Sequence, residues 1–154
     1  MIRIGVISDT HGLLRPQAVA ALAGSDFIVH GGDIGNAGIL ADLAAMAPLT
    51  VVRGNNDKGP WAHAVPEFAR LEIGNVCIHA VHDIATIDID PRQAGVQIVI
   101  YGHSHRPKAE QRGPVLYLNP GSAGPRRFKL PVSVAILDID GDTINARIIE
   151  LQIP

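Results

Sequence analysis

The chain of 154 residues has little cysteine and few aromatic residues: one Cys, and 4% Phe, Trp and Tyr together. A single cysteine, Cys77, cannot form an internal disulfide or a zinc-thiolate cluster, so the fold must rest on its apolar core. No stretch without Lys, Arg, Asp or Glu exceeds 13 residues, which is too short to span a bilayer. An apolar run begins at residue 2 and shows no cleavable signal pattern, so we expect a cytoplasmic protein with no membrane partner.

The chain also lacks an excess of either charge. Thirteen basic and fifteen acidic side chains give a formal net charge of -2 at pH 7. This balance predicts no broad surface for a nucleic-acid backbone. With 47% hydrophobic and 18% charged residues, the composition is that of a globular protein. The length fits a single domain over residues 1–154.

Histidine is the residue type that stands out. Seven histidines accompany only three lysines, and four of them form the pairs His79/His82 and His103/His105. Imidazole is a common ligand of transition metals, and it titrates near neutral pH. The composition therefore indicates a metal site or a proton-transfer site.

Apolar runs and polar turns alternate in the first half of the chain. Strands are predicted at residues 2–7, 27–29 and 50–52, and helices at 16–23 and 36–46. This alternation predicts parallel strands with polar turns at their carboxyl ends, where open α/β sheets place their ligands.

The second half has an antiparallel character. Its pattern predicts hairpins over residues 68–81 and 132–151, strands at 97–101 and 115–118, and a loop at 59–66. In total the pattern predicts about nine strands and three or four short helices. The expected fold is α/β, with two packed mixed β-sheets flanked by helices.

Five predicted strand ends carry candidate metal ligands. Carboxylate, carboxamide and imidazole groups together suit Mn, Fe, Zn, Ni or Co. Residues two apart in an extended chain point to the same side, so Asp9/His11 and His103/His105 can each converge on a metal. Seven candidates are too many for one tetrahedral ion with an open position, and they suit two ions. The candidates are Asp9, His11, Asp33, Asn55, His82, His103 and His105.

The two histidines of the first pair are assigned different roles. Residues 76–81 are rich in strand formers, and side chains three apart in a strand point to opposite faces. His82 follows this strand, so we assign it to the metals and interpret His79 as structural. His30 is expected in the core or behind the ligands, and His63 on an exposed loop.

Five motifs follow one another along nearly the whole chain. They are Asp9-Thr10-His11, Gly32-Asp33, Gly54-Asn55-Asn56-Asp57, His82-Asp83 and Gly102-His103-Ser104-His105. In this order they resemble the calcineurin-like metallophosphoesterase family. The small size, His105-Arg106-Pro107 and the turn Asn119-Pro120-Gly121-Ser122 are similar to its compact bacterial and archaeal phosphodiesterase branch. The resemblance implies an α-β-β-α sandwich.

The resemblance also implies how the ligands divide between the ions. Asp9, His11, Asp33 and His105 would hold one ion, and Asp33, Asn55, His82 and His103 the other, with Asp33 shared. It implies a phosphodiesterase in which a hydroxide bridging the metals attacks phosphorus in line, without a protein nucleophile. Mn is the expected metal, with Fe, Zn, Ni or Co as alternatives, and the expected substrate is a small phosphoester.

Asn56 departs from the pattern of larger relatives, which carry a histidine at this place to protonate the leaving group. Asn56 can donate a hydrogen bond to a phosphate oxygen, but it cannot act as a general acid. We therefore expect slow turnover of esters with poor leaving groups. Asp57 is predicted to orient His11 from behind.

Alternative functions are open at this point. A phosphomonoesterase or protein phosphatase is the second candidate, although the chain lacks long insertions that could shape a groove for a protein substrate. A non-catalytic interaction scaffold of the same fold is the third, and the metal-competent side chains at all seven positions argue against it. Pairing of edge strands would give a homo-oligomer. Arg126 and Arg127 are expected in a solvated loop, where one of them could reach a phosphate.

Overall fold

Ten β-strands and three short α-helices make up this computed structural model, which describes residues 1–154. The first half contains β1 (Ile2–Ile7), α1 (Pro16–Leu22), β2 (Phe27–His30), α2 (Ala37–Ala44), β3 (Leu49–Val51) and α3 (Pro60–His63). The second half contains β4 (Phe68–Ile73), β5 (Val76–Val81), a 3-10 turn (Ile84–Thr86), β6 (Ile98–Ile100), β7 (Lys108–Arg112), β8 (Val115–Asn119), β9 (Ser133–Asp140) and β10 (Thr143–Glu150). None of the helices combines the length and hydrophobicity that a membrane crossing requires.

The strands form two mixed sheets of five strands each. Sheet A has the order β10-β9-β1-β2-β3, in which β1, β2 and β3 are parallel and β9 and β10 pair antiparallel. Sheet B has the order β4-β5-β6-β8-β7, in which β5, β6 and β8 are parallel and the edge strands β4 and β7 run antiparallel. The predicted α/β fold with two packed mixed sheets is confirmed.

An apolar core lies between the two sheets. Alternate residues of β1 point to opposite faces, so Ile4 and Val6 pack in the core between the sheets and Ile7 packs on the outer side of sheet A. On that outer side, Leu22 of α1 and Leu43 of α2 cover the sheet. The predicted helical layer is therefore present over sheet A.

The outer face of sheet B is covered differently. Ile84, Ile87 and Ile89 of the segment that follows β5 pack against Cys77 and Val99. This layer consists of one 3-10 turn and irregular chain rather than an α-helix. Cys77 is buried and unpaired, as a residue of this smaller core.

The predicted strands and helices are present with ends shifted by at most two residues, and three differences have a physical reason. α2 begins at Ala37 because the side chain of Asn36 accepts a hydrogen bond from the Ile39 N–H at 3.1 Å and caps the helix. The predicted loop over residues 59–66 contains the one-turn helix α3. β7 was not predicted, since its sequence has no apolar alternation and its side chains are largely exposed.

The topology brings the carboxyl ends of the parallel strands of both sheets to one place. The N–H of Asp9, after β1, donates to the carbonyl of Gly32, after β2, at 2.9 Å. The N–H of Gly102, after β6, donates to the carbonyl of His82, after β5, at 3.0 Å. The N–H of His103 crosses between the sheets to the Asp9 carboxylate at 3.1 Å. These turns form the site.

Candidate metal centre

Five of the seven predicted ligands converge at this end of the sandwich. Asp9 Oδ1 lies 3.4 Å from His105 Nε2, and Asp33 Oδ2 lies 3.3 Å from His82 Nε2. His11 Nε2 lies 3.3 Å from His105 Nε2. Ligand atoms of Asp9, His11 and His105 lie within 4.8 Å of one another, and so do those of Asp9, Asp33 and His82. The two groups share Asp9, so they form one continuous cluster.

The remaining two predicted ligands lie at the rim of this cluster. Asn55 and His103 are both exposed, and His103 Nδ1 is 3.2 Å from Asn55 Oδ1. The ring of His103 meets the ring of His82 edge to face, with centroids 5.2 Å apart. Asn55 and His103 therefore border the group that contains His82.

The backbone at the candidate ligands has an unfavourable conformation. Asp9, His11, Asp33, His103 and His105 all have positive φ, between 45° and 72°. Only one other non-glycine residue in the chain has positive φ. This region disfavours residues with a β-carbon by about 1–2 kcal/mol each, and such conformations cluster at functional sites.

Two glycines allow the turns to approach one another. A β-carbon at Gly54 would overlap the backbone nitrogen and Oδ1 of Asp33. A β-carbon at Gly102 would overlap Ser8 Oγ and lie 2.5 Å from Asp9 Oδ2. The candidate ligands therefore reach their positions only because these two turns carry no side chain there.

The hydrogen bonds of Asp9 direct one carboxylate oxygen into the cluster. Oδ2 accepts from Ser8 Oγ at 2.7 Å and from the His103 N–H at 3.1 Å. Oδ1 is buried and has no hydrogen-bond partner. A buried polar atom without a partner is costly, so the environment of Oδ1 favours a cation.

His82 is oriented in a similar way. Its Nδ1–H donates to the Gly31 carbonyl at 2.7 Å, so in the neutral ring Nε2 carries no proton and its lone pair faces the carboxylates. Nε2 is buried and has no hydrogen-bond partner. Imidazole nitrogens with an unshared lone pair, next to carboxylate oxygens, are the donor set that divalent transition metals prefer. The residues present therefore fit a metal centre.

Burial and mutual contact shift the pKa values of ionisable groups in the cluster. Burial alone would raise the pKa of Asp33, but the contact with His82 and the N–H of Asn56 outweigh it and hold this pKa well below its usual range. Burial alone would lower the pKa of His82, but Asp33 and Asp9 raise it above its ordinary value. Asp33 is therefore ionised throughout the neutral pH range and can only accept.

Asn56 contacts the cluster through Asp33. Its backbone N–H donates to Asp33 Oδ1 at 2.9 Å, and its side-chain Nδ2 donates to Oδ2 at 3.1 Å. One of the two side-chain N–H groups is used in this contact. The second N–H of this exposed amide has no partner among the protein groups.

The predicted contact between Asp57 and His11 is wrong. Asp57 Oδ1 accepts from the N–H groups of Ile34 and Gly35, at 2.8 and 3.1 Å, and Oδ2 accepts from the Gly54 N–H at 2.8 Å. Both oxygens are occupied by backbone donors. Asp57 therefore fastens the turn after β3 to the turn after β2, and it stabilises the position of Asp33 rather than that of His11.

His30 supports the turn after β2 from within the core, as the sequence suggested. The Gly32 N–H donates to its Nδ1 at 3.0 Å, so Nε2 carries the proton and donates to Thr10 Oγ1 at 3.0 Å. Thr10 in turn donates to the Ile34 carbonyl at 2.7 Å. Complete burial lowers the pKa of His30 to about 4. His30 is therefore neutral at physiological pH.

The turn after β8 also supports the site. Asn119 Nδ2 donates to the Gly102 carbonyl and to Ser104 Oγ, each at 3.1 Å. Ser122 Oγ donates to the Asp9 carbonyl at 2.9 Å. These supporting contacts join positions distant in sequence, and only the family-like motif at residues 119–122 pointed to them.

The remaining histidines lie away from the cluster. His79 is on the outer face of sheet B, where its ring stacks on Phe68 with centroids 5.9 Å apart. His63 is exposed at the end of α3. The interpretation that His82 rather than His79 reaches the site agrees with this placement.

A cleft of about 380 Å³ opens beside His82 and His103. Arg53 and Glu67 form an ion pair in it at 2.8 Å. Phe68 and Asp83 also line the cleft. It therefore combines one aromatic surface with polar groups next to the candidate metal centre.

The sequence pattern of the calcineurin-like phosphoesterase superfamily domain matches residues 2–142. The chain therefore belongs to this superfamily, as its motifs predicted. The family depends on two metal ions, and the clustered carboxylates and histidines are candidate ligands for them.

Two relatives and one solved structure illustrate the likeness. A probable metallophosphoesterase of Methanothermobacter thermautotrophicus is 34% identical, over 98% of this chain and 94% of that one. The phosphodiesterase YfcE of Escherichia coli K12 is 28% identical, over 91% and 89%. Vps29 of Chaetomium thermophilum has a TM-score of 0.79 at 18% identity, over 98% and 97%. This last likeness concerns the fold alone.

Proposed function

We propose that the protein is a dimetal-dependent phosphodiesterase. The observation that carries the proposal is the convergence of five carboxylate and imidazole side chains in which Asp9 Oδ1 and His82 Nε2 are buried without a partner. We assign one ion to Asp9, His11, Asp33 and His105, and the other to Asp33, Asn55, His82 and His103. Two bound Mn²⁺ ions would activate water and offset charge on the phosphate.

The position of Asp33 supports its assignment as the shared ligand. Its Oδ2 lies 3.7 Å from His11 Nε2 and 3.3 Å from His82 Nε2, between histidines assigned to different ions. The two hydrogen bonds from Asn56 hold this carboxylate in one orientation. Asn56 thus acts as a positioning residue through Asp33, and its second side-chain N–H is available to a phosphate oxygen.

No general acid stands at the position of Asn56. Its amide cannot release a proton to a leaving group at neutral pH. We therefore propose that esters whose leaving groups need little protonation, such as aryl esters, turn over faster than alkyl esters.

The cleft beside His82 favours a diester over a monoester. A phosphodiester carries two organic groups, and the cleft of about 380 Å³ next to the centre gives one of them a partly apolar surface at Phe68. A monoester would leave this space unused. The scaffold alternative is disfavoured because all seven positions keep metal-competent side chains, and five of them converge.

The test compares metal-dependent hydrolysis of bis(p-nitrophenyl) phosphate and p-nitrophenyl phosphate. We expect Mn²⁺ to stimulate both reactions, with a higher kcat/KM for the diester. Loss of a metal ligand in His82→Ala should lower kcat/KM by about 100-fold or more, since even outer contacts contribute 10- to 100-fold. His63→Ala, at an exposed histidine away from the cluster, is the control and should retain activity. A preference for the monoester, or hydrolysis that survives in His82→Ala, would contradict the proposal.

A further inference from the structure

The unpaired basic side chains are concentrated in one region. Of the 13 Lys and Arg residues, six form ion pairs with Asp or Glu, and Arg15 donates to the Gly124 carbonyl. The side chains of the remaining six have neither an acidic partner within 4.0 Å nor a hydrogen bond to another protein group. Four of these six are Arg106, Arg126, Arg127 and Lys129. We call the group of Arg106, Arg126, Arg127, Phe128 and Lys129 the basic patch.

Phe128 lies within these cations. Its side chain is 93% exposed, and it is the only non-glycine residue with positive φ outside the candidate metal centre (53°). Arg106, Phe128 and Lys129 line one cleft. Arg126, Phe128 and Lys129 line the next one together with Glu150, which forms no ion pair with them. A bulky residue in this backbone conformation is strained. The loop therefore keeps the Phe128 ring exposed to solvent at the expense of backbone strain.

The loop that carries the patch is fixed at both ends. Arg15 donates to the Gly124 carbonyl through Nε and Nη2, at 3.3 and 3.2 Å. At the other end, the chain makes a short turn in which the Leu130 N–H donates to the Arg127 carbonyl at 3.1 Å. Beyond this turn, Val132 pairs with Ser122. The patch is therefore presented by an anchored loop.

The basic patch borders the His11 and His105 side of the metal centre. Gly124 packs so closely on the carbonyls of Asp9 and Thr10 that a β-carbon would overlap them. Arg106 directly follows His105. The packing of Gly124 and the position of Arg106 in the chain therefore place the basic patch beside the candidate metal centre.

The other side of the centre has the opposite character. The cleft beside His82 contains the carboxylates of Glu67 and Asp83, and its single cation, Arg53, is already paired with Glu67. A further negative charge on a substrate would be repelled there and attracted to the basic patch. The site is therefore electrostatically asymmetric.

We propose that the basic patch binds a second phosphate group of the substrate and that Phe128 stacks on a base of the same substrate. This proposal rests on the proposed phosphodiesterase function. It assigns the substrate to nucleotide phosphodiesters that carry an additional phosphate on one arm. That arm lies over the basic patch, and the uncharged arm lies in the cleft beside His82.

The chemistry of the patch supports this class of substrate. Arginine guanidinium groups bind phosphate oxygens in a bidentate manner. An exposed aromatic ring among cations is the usual surface for single-stranded nucleotides, where stacking tolerates any base. An anionic membrane is a poorer match, because Phe128 is the only largely exposed aromatic side chain beside these cations.

The test uses two dinucleotides that differ by one phosphate, dTpdT and its 5′-phosphorylated form, with bis(p-nitrophenyl) phosphate as a reference substrate. We expect kcat/KM to be about tenfold higher for the phosphorylated dinucleotide, because one charge-assisted contact contributes roughly that factor. The ratio should fall towards one in Arg127→Ala. It should also decrease as salt is raised.

Two further variants complete the experiment. Phe128→Ala should raise KM for both dinucleotides about tenfold relative to the reference substrate, and Phe128→Trp should restore it. Arg92→Ala removes an exposed, unpaired arginine that lies outside the patch, and it should keep the wild-type ratio.

The outcomes separate the two proposals. If wild-type protein with Mn²⁺ does not hydrolyse bis(p-nitrophenyl) phosphate, the phosphodiesterase function fails. If it hydrolyses this ester but shows equal kcat/KM for the two dinucleotides, the substrate assignment fails. An equal loss of the ratio in Arg92→Ala would also overturn it, and so would Phe128-dependent binding to phosphatidylserine vesicles without any dinucleotide preference.

Discussion

His30 holds the turn after β2 from within the protein, where both of its ring nitrogens are occupied. It accepts from the Gly32 N–H and donates to Thr10 Oγ1, each at 3.0 Å. Protonation of Nδ1 would place two donors face to face and would bury a charge. The folded state therefore strongly favours the neutral form of the His30 ring.

A pH-dependent stability follows from His30. Burial lowers its pKa in the folded state to about 4, below the ordinary value of 6.5. Between these values the unfolded chain binds more protons, so the stability contributed by His30 is complete above pH 6.5 and is lost as the pH falls towards 4. We expect a loss of about 2 kcal/mol from this group between pH 7.5 and pH 5. Urea unfolding in the presence of a chelator measures it.

The variant that isolates this effect is His30→Gln. Its side chain stays neutral, so the difference in unfolding free energy between pH 7.5 and pH 5 should shrink by about 2 kcal/mol relative to wild type. His63→Gln, at an exposed histidine, should leave the difference unchanged. A wild-type pH dependence in His30→Gln would show that another group is responsible.

The contacts of Asp57 are a part of the site that the sequence could not predict. Its place in the motif at residues 54–57 indicated a role near the ligands, but its partners Ile34 and Gly35 lie 23 and 22 residues earlier in the chain. The choice between a partner histidine and these backbone N–H groups depends on the folded path of two turns. Asp9, His11 and His82 could be predicted from the sequence because each lies in the turn after an apolar run that forms a strand.

At the scale of elements, the turns after the strands depend on close approach of backbone to backbone. The turn after β3 touches that after β2 at Gly54, where Asp33 leaves no space for a β-carbon. The neighbouring atoms include the Asp33 backbone nitrogen, which cannot move away as the end of a flexible side chain could.

Gly54→Ala should therefore displace Asp33. We expect a loss of about 1–3 kcal/mol in unfolding free energy, as for overpacked sites, together with weaker Mn²⁺ binding by titration calorimetry. Gly95→Ala is the control, since Gly95 has φ of 71° and no atom within 4 Å of an added β-carbon. It should cost about 1 kcal/mol from its backbone conformation and leave Mn²⁺ affinity unchanged. Unchanged Mn²⁺ affinity in Gly54→Ala would contradict this account.

β7 is the one strand that the sequence pattern does not predict. Lys108–Arg112 has no apolar alternation, and its strand is formed by pairing with β8 across the two-residue turn at 113–114. Glu110 contacts Lys108 and Arg112 at 3.0 and 3.1 Å, and Arg112 lies 4.3 Å above the Tyr117 ring. The apolar strands were predictable because burial leaves a pattern in the sequence, whereas these edge interactions leave none.

At the scale of the whole molecule, the candidate metal centre joins the two sheets. Asp9, His11 and Asp33 follow strands of sheet A, whereas His82 and His105 follow strands of sheet B. Ions held by both sets would connect the sheets in the folded state only. Binding should therefore stabilise the native protein.

We expect Mn²⁺ at about 100 times its Kd to raise Tm by about 5–10 °C, from a stabilisation of about 2.7 kcal/mol. Thermal unfolding with Mn²⁺, and with a chelator, measures this shift. His82→Gln should abolish most of it, and His79→Gln, on the outer face of sheet B, should preserve it. An equal shift in both variants would place the bound Mn²⁺ elsewhere.

Because the candidate metal centre lies at the ends of the strands, the residues that form it are separate from those that form the apolar core. The core between the sheets consists of 14 buried hydrophobic residues, whereas the candidate ligands lie in the turns that follow the strands. We expect substitution of the candidate ligands to remove metal binding while the sandwich and its surfaces persist. The framework can therefore lose its candidate metal ligands by substitution and still present folded surfaces to a partner, a separation that a fold with its ligands inside the core does not offer.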